Sequence, residues 1–178
     1  MCAHFDTIIC MEELDKKPWW GYVEEDLQEL LKESFLLIEI LKGMGADLPG
    51  GKKEFHDYSF VVFPAAKAYE GFLKKLFWDL KFITEDDYSG KRFRIGKALN
   101  PTLPKEIRNE HWVYKKVTDY CQGRELADTL WDTWRVSRNL VFHWFPNEKN
   151  AITLGEAEER VNLVIEAIDQ AFKECRIK

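Results

Sequence analysis

The sequence has few cysteines and no pattern that pairs them. Only four of its 178 residues are cysteine, and they form no C-x-x-C motif and are too widely spaced for a zinc knuckle. The first residues lack the basic start and the long apolar stretch that are typical of a secretory signal. We therefore expect a cytoplasmic protein with reduced thiols.

Long apolar runs and an excess of positive charge are also missing. The longest apolar runs, such as 35–38, are far below the roughly 20 residues that a membrane-spanning helix needs, so no membrane association is expected. The net charge of −5 excludes a globally basic nucleic-acid coat protein. Alternating apolar and polar residues, which are typical of strands, do not extend over any useful length.

What the sequence does contain is enough apolar surface for one core. Hydrophobic residues make up 46% and aromatic residues 14% of the chain, with seven tryptophans, which argues against disorder. The length predicts a single domain over 1–178, with about 1–22 as an N-terminal extension that Trp19 and Trp20 anchor to the core.

Helical periodicity dominates the chain, and three local signals place helix ends. Pro64 suits a first helical turn, Thr153 with Glu156 forms a capping box, and Pro146 ends the helix before it. The predicted long helices are 24–42, 64–82 (with 58–63 as a lead-in or kinked first turn), 124–143 and 153–175, and the short ones are 96–99 and 112–120. The predicted fold class is all-α, a bundle of four main helices with short additional helices.

Positive charge is concentrated in one segment. Residues 91–124 hold nine Lys or Arg against three acids, which gives +6, so the rest of the chain carries −11. Such an asymmetry can steer a polyanion to one region of an acidic protein. A solvated surface without a ligand is the alternative interpretation.

The third long helix is apolar on nearly every side of its C-terminal half, yet it carries Arg138, Asn139 and His143 there. Arg138 follows Trp134 by one turn, and Asn139 and His143 are four residues apart, which predicts that they share a face. An unpaired guanidinium in a core would cost several kcal/mol, so Arg138 should meet a carboxylate, an anion or a cleft.

Glu70 is a candidate partner for Arg138, because it borders the apolar side of the second helix. The alternative for Glu70 is a surface pair with Lys74 or Lys67, three or four residues away.

The string R-N-x-x-x-H at 138–143 resembles the signature of HEPN-fold ribonucleases. The strings YEGFLKKLF at 69–77 and IGKAL at 95–99 precede it. In type and order, the three strings resemble the catalytic C-terminal domain of RNase LS-type (RnlA-like) toxins, over about residues 60–175.

The resemblance implies a HEPN-like domain that is a metal-independent endoribonuclease of toxin–antitoxin or phage-defence type. It implies that Arg138 and His143 are catalytic, that Glu70 supports them, and that Lys67 is a further basic residue one turn before Glu70. It also implies a C2 homodimer that joins two motifs, and a protein antitoxin as a partner.

The residue types suit attack of a ribose 2′-OH on its own phosphate, which needs proton transfer and a cation for the developing charge. His143 can exchange protons, Arg138 can grip the phosphate, Glu70 can orient either of them, and Asn139 can supply a supporting hydrogen bond. No cofactor is expected, and no catalytic metal, because no residues have metal-ligand spacing. The basic residues that we expect to bind the RNA backbone are Lys91, Arg92, Arg94 and Lys97.

Two alternatives stay open at this point. One is a non-catalytic helical module that binds RNA or a regulatory protein. The other is a purely structural bundle in which Arg138 and Glu70 form a core ion pair.

Overall fold

A computed structural model describes residues 13–44, 55–144, 146 and 150–175. Over these residues all regular structure is helical and no strand occurs, which confirms the all-α prediction. The helices are α1 (Glu25–Met44), α2 (Ser59–Asp79), α3 (Glu85–Ser89), α4 (Ile95–Ala98), α5 (Val113–Tyr120), α6 (Glu125–Trp134) and α7 (Leu154–Glu174). A π-turn at Arg135–Asn139 continues α6, and short 3-10 turns lie at Trp20–Tyr22 and Lys105–Ile107.

The long helices pack into a bundle around one core. Helix α1 packs against α2, α2 packs against α7, and α7 packs against α6. Fully buried side chains from all four meet between them, among them Leu31, Leu73, Leu76, Leu130, Val161 and Ile165. Within the described part of the chain, no helix is both long enough and apolar enough to cross a bilayer.

The N-terminal segment is fastened to this bundle by Trp19, as the sequence predicted. Leu14 and Trp19 are fully buried. The indole N–H of Trp19 donates a hydrogen bond to Asp169 on α7, and Lys17 Nζ lies 2.6 Å from the other oxygen of that carboxylate.

Helix α2 begins before Pro64, so of the two predicted alternatives for 58–63 the structure has the first helical turn and not a lead-in, and Pro64 lies inside the helix. The helix begins at Ser59, whose hydroxyl and backbone N–H both donate to the Asp57 carboxylate, at 2.7 and 3.0 Å. The N–H of Ala65, next to the proline, donates to the buried Ser34 Oγ of α1 at 2.9 Å. Helix α1 therefore supplies an acceptor where the proline disturbs the helical hydrogen bonding.

The third long helix also differs from the prediction of 124–143, because regular α-helix ends at Trp134. In the π-turn, the Leu140 N–H donates to the Arg135 carbonyl at 2.9 Å, one residue further back than in an α-helix. The Arg160 guanidinium of α7 donates to the Val136 carbonyl, and Ser137 Oγ donates to the Arg160 carbonyl at 3.4 Å. Helix α7 thus holds the π-turn in place, and His143 lies beyond the helix.

Candidate functional site

Arg138 lies in the π-turn and meets Glu70 from the middle of α2. Its Nε is 3.5 Å from Glu70 Oε2, so the predicted ion pair is present. The two side chains are 40% and 32% exposed, so the pair opens to solvent and is not sealed in the core. The Arg138 guanidinium also lies over the Trp134 ring, 5.5 Å from its centroid.

This ion pair borders a cleft of about 330 Å³, called here the arginine cleft. Arg94, Lys97 and Arg138 contribute three positive charges to its lining, and Glu70 contributes one negative charge. Trp131 and Trp134 form an aromatic wall, with their rings stacked 5.6 Å apart. The net positive lining makes the arginine cleft suited to an anion.

Gly96 allows the basic segment to reach this cleft. A Cβ built on Gly96 would lie 2.1 Å from Trp134 Cη2, so only glycine permits this approach of α4 to α6. Ile95, Ala98 and Leu99 are buried around it, while Arg94 and Lys97 are exposed and line the cleft. The string at 95–99 therefore sets basic side chains beside Arg138.

His143 lies on a different cleft, of about 830 Å³, called here the histidine cleft. The His143 side chain is exposed, and its carbonyl accepts a hydrogen bond from Asn150 Nδ2 at 2.8 Å. The preceding Phe142 packs edge-on against Phe63 of α2, with 5.5 Å between ring centroids.

Arg138 and His143 therefore belong to separate clefts of the chain. Asn139 lines the arginine cleft, so the prediction that it shares a face with His143 is wrong. The reason is that the π-turn and the helix end at Leu140 break the i,i+4 register on which that prediction depended.

The remaining predicted residues, Lys67, Lys91 and Arg92, do not line the arginine cleft. Arg92 lines a third cleft that adjoins it, and Lys91 is exposed, with its carbonyl accepting from Arg94 Nη1 at 2.5 Å. Lys67 is exposed on α2, one turn before Glu70. Lys74, one alternative partner of Glu70, donates to the Gly90 carbonyl at 3.2 Å.

No protein-family model, curated protein or solved structure matches the chain. The HEPN relationship therefore remains a resemblance, and the function has to be argued from the clefts themselves. In the described residues, no group of three or more His, Cys, Asp or Glu is placed to hold a metal ion.

Sequence reasoning missed two features of the arginine cleft. Asn100 lines it, and the backbone carbonyl of Asn100 accepts a hydrogen bond from Trp112 Nε1 at 2.9 Å. The Trp134 Nε1 atom is buried and has no hydrogen-bond partner within the described part of the chain. A buried indole N–H usually has a hydrogen-bond partner. Neither feature has a signal in the local sequence.

The histidine cleft contains an ionised carboxylate. Burial raises the pKa of Asp57, but hydrogen bonds from the Ser59 hydroxyl and from the Ile152 and Ser59 N–H groups outweigh burial, so that the pKa lies below its usual range. Asp57 lines the same cleft as His56 and His143. Negative charge is therefore fixed in this cleft near neutral pH.

Proposed function

We propose that the protein is a metal-independent endoribonuclease of toxin–antitoxin or phage-defence type that acts in the cytoplasm. It cleaves RNA by 2′-OH attack, with the R-x4-H motif at 138–143. The observation that supports this proposal is the half-exposed Arg138 in a cationic cleft beside Glu70. A purely structural bundle gives no reason for an open cleft at this ion pair.

Arg138 is suited to hold the scissile phosphate. An exposed ion pair contributes only about 0–1 kcal/mol, so the contact with Glu70 orients the guanidinium without preventing an incoming phosphate from binding it. Arg94 and Lys97 add charge at the same cleft, and the amide of Asn139 can donate to a phosphate oxygen. A bidentate contact, in which two guanidinium N–H groups bind one phosphate, is stronger than a neutral hydrogen bond.

Because Arg138 and His143 lie on separate clefts, they can act on one phosphate only in a composite site, and we propose that a C2 homodimer forms it. Large apolar side chains are exposed near both motif residues: Phe63 is 55%, Leu140 36% and Trp144 80% exposed. Apolar surface of this kind marks an interaction site. We propose that a twofold axis through this surface brings His143 of one protomer to the arginine cleft of the other.

Cleavage of a fluorescent single-stranded RNA in EDTA tests the activity. His143→Ala should lower the rate by about 10²–10⁴-fold, the usual contribution of a positioned acid or base. Arg138→Ala should lower it by about 10²–10³-fold, the usual cost of removing a group that stabilises developing charge. Arg135→Ala is the matched control, since Arg135 lies in the same π-turn and its Nη2 contacts Asp132 at 3.4 Å. Full activity in His143→Ala, or cleavage of a substrate that lacks the 2′-OH, would overturn the proposal.

Mixing the two inactive variants tests the composite site. If each site joins Arg138 of one protomer to His143 of the other, every heterodimer of the two variants carries one intact site out of two. Random exchange of an equal mixture makes half of all dimers heterodimers, which restores about a quarter of wild-type activity. No activity on mixing, in dimers shown to exchange protomers, would refute this arrangement.

The second candidate is a non-catalytic helical module that binds RNA or a regulatory protein. It is favoured by the separation of Arg138 from His143 and by the exposed Trp144. This candidate predicts RNA or protein binding without cleavage by the wild-type dimer, with no loss of affinity in His143→Ala.

A further inference from the structure

A third cleft, of about 250 Å³, lies beside the arginine cleft and is called here the ring pocket. Arg94 and Lys97 line both of them. The two clefts therefore share a cationic wall, and a ligand that extends across this wall would occupy both.

The interior of the ring pocket is aromatic and apolar. Phe93 is 5% exposed, and the His111 ring stands edge-on to it, with 6.3 Å between centroids. Trp112 is half-buried, with the Arg108 guanidinium 4.0 Å from its ring centroid and the Tyr114 ring stacked on it at 6.0 Å. Ala98 and Leu103 complete the apolar lining.

The walls of the pocket are fixed by hydrogen bonds among its own residues. His111 Nδ1 lies 3.2 Å from Asp87 Oδ2, and that carboxylate also caps α3 through Thr84. Asn109 Oδ1 accepts from the His111 N–H at 3.1 Å. The pocket is therefore shaped before any ligand enters, which reduces the entropy cost of binding.

The size of the pocket suits one flat ring system. Pockets that enclose a whole drug-sized ligand measure roughly 300–1,000 Å³, and the ring pocket, at about 250 Å³, falls below that range. An apolar, aromatic interior next to a cationic wall matches the base and the phosphate of a nucleotide. Proteins recognise single-stranded RNA in this way, by stacking splayed-out bases against aromatic or guanidinium planes.

We infer that the ring pocket binds one unstacked nucleobase of single-stranded RNA, while the adjoining phosphate contacts the shared wall of Arg94 and Lys97. This inference rests on the proposed RNA substrate and adds base recognition to it. Arg92 and the Asn109 amide lie at the pocket and can donate hydrogen bonds to acceptors on the edge of the base.

Fluorescence anisotropy in a His143→Ala background, which removes cleavage, tests the inference. The probes are fluorescein-labelled 12-mers of rA, rC, rG and rU, and an abasic ribose-phosphate 12-mer. The variants are His111→Ala, which removes one wall, and Asn109→Ala, an exposed substitution that spares the core. Gln170→Ala on α7, whose amide contacts Glu174 at 2.9 Å, is the control.

With a base in the pocket, His111→Ala should weaken binding of at least one base-bearing 12-mer by about 5- to 150-fold, and Asn109→Ala should weaken it less. Binding of the abasic 12-mer should change less than about twofold, because phosphate contacts are untouched. Unchanged binding, or equal weakening of the abasic probe, refutes base binding in the ring pocket. Neither result contradicts the proposed RNA cleavage. Absence of any RNA binding by the parent protein overturns both proposals together.

Discussion

Replacing Gly96 with alanine should separate α4 from α6. The added Cβ would lie 2.1, 2.6 and 2.7 Å from Cη2, Cζ2 and Cζ3 of Trp134. These atoms form the rigid edge of an indole that is only 8% exposed and is stacked on Trp131. The stack on Trp131 and the contact with Arg138 hold the ring in place, so we expect α4 to shift.

The cost follows from two opposing effects. Overpacking a closely packed site costs about 1–3 kcal/mol, whereas alanine in place of glycine favours a helix by up to about 1 kcal/mol. We expect a net loss of about 1–2 kcal/mol in the free energy of unfolding. With an m-value of about 2 kcal/mol/M in urea, the midpoint should fall by about 0.5–1 M.

Urea unfolding followed by tryptophan fluorescence measures this shift. Gly155→Ala in the first turn of α7 is the matched control, since nothing lies within 4 Å of its added Cβ, and it should be neutral or slightly stabilising. RNA binding by Gly96→Ala should also weaken, because Arg94 and Lys97 move with α4. An unchanged or raised midpoint for Gly96→Ala would refute the reasoning.

Two further substitutions test the supports of α2. Ser34→Ala leaves the buried Ala65 N–H without its acceptor, and should cost about 1–3 kcal/mol in urea unfolding; equal stability to the surface control Ser89→Ala would contradict this. Asp57→Asn should lose a stabilisation that exists only while the carboxylate is ionised. Because hydrogen bonding lowers the folded-state pKa of Asp57 despite its burial, the stability difference from wild type should persist above about pH 4 and shrink as the pH falls further. A difference that stays constant down to pH 2.5 would be evidence against this linkage.

Helix ends with a local signal could be predicted from the sequence. In the Thr153 capping box, the Thr153 N–H donates to Glu156 Oε2 at 2.7 Å, and the Glu156 N–H donates to Thr153 Oγ1 at 3.2 Å. Helix α7 begins at Leu154 as a result, which confirms the prediction. Helix α3 was not predicted, although Thr84 and Asp87 form the same box. Its five residues are too few to show a periodicity.

The geometry around Arg138 could be predicted only in part. Its position beside Trp131 and Trp134 follows from helical spacing, and all three line the arginine cleft. The π-turn depends on Arg160, which is distant in sequence and contacts Val136 only in the folded bundle. A local window therefore could not reveal that Asn139 and His143 would point to different clefts.

The proximity of the basic segment to Arg138 could not be predicted from the sequence either. The sequence shows a glycine at position 96 and a tryptophan at position 134. It does not show that the Trp134 ring packs against Gly96 where a side chain would otherwise lie. Contacts of this kind depend on tertiary packing, which overrides local propensity.

The π-turn holds one residue more than the α-helical turn that it replaces, and each residue of an α-helix turns the chain by about 100°. Loss of a single codon within 135–137 would therefore regularise the helix and change the direction of the backbone after Leu140. The imidazole at the end of the motif would then move away from the histidine cleft, although every chemical group of the motif would still be encoded.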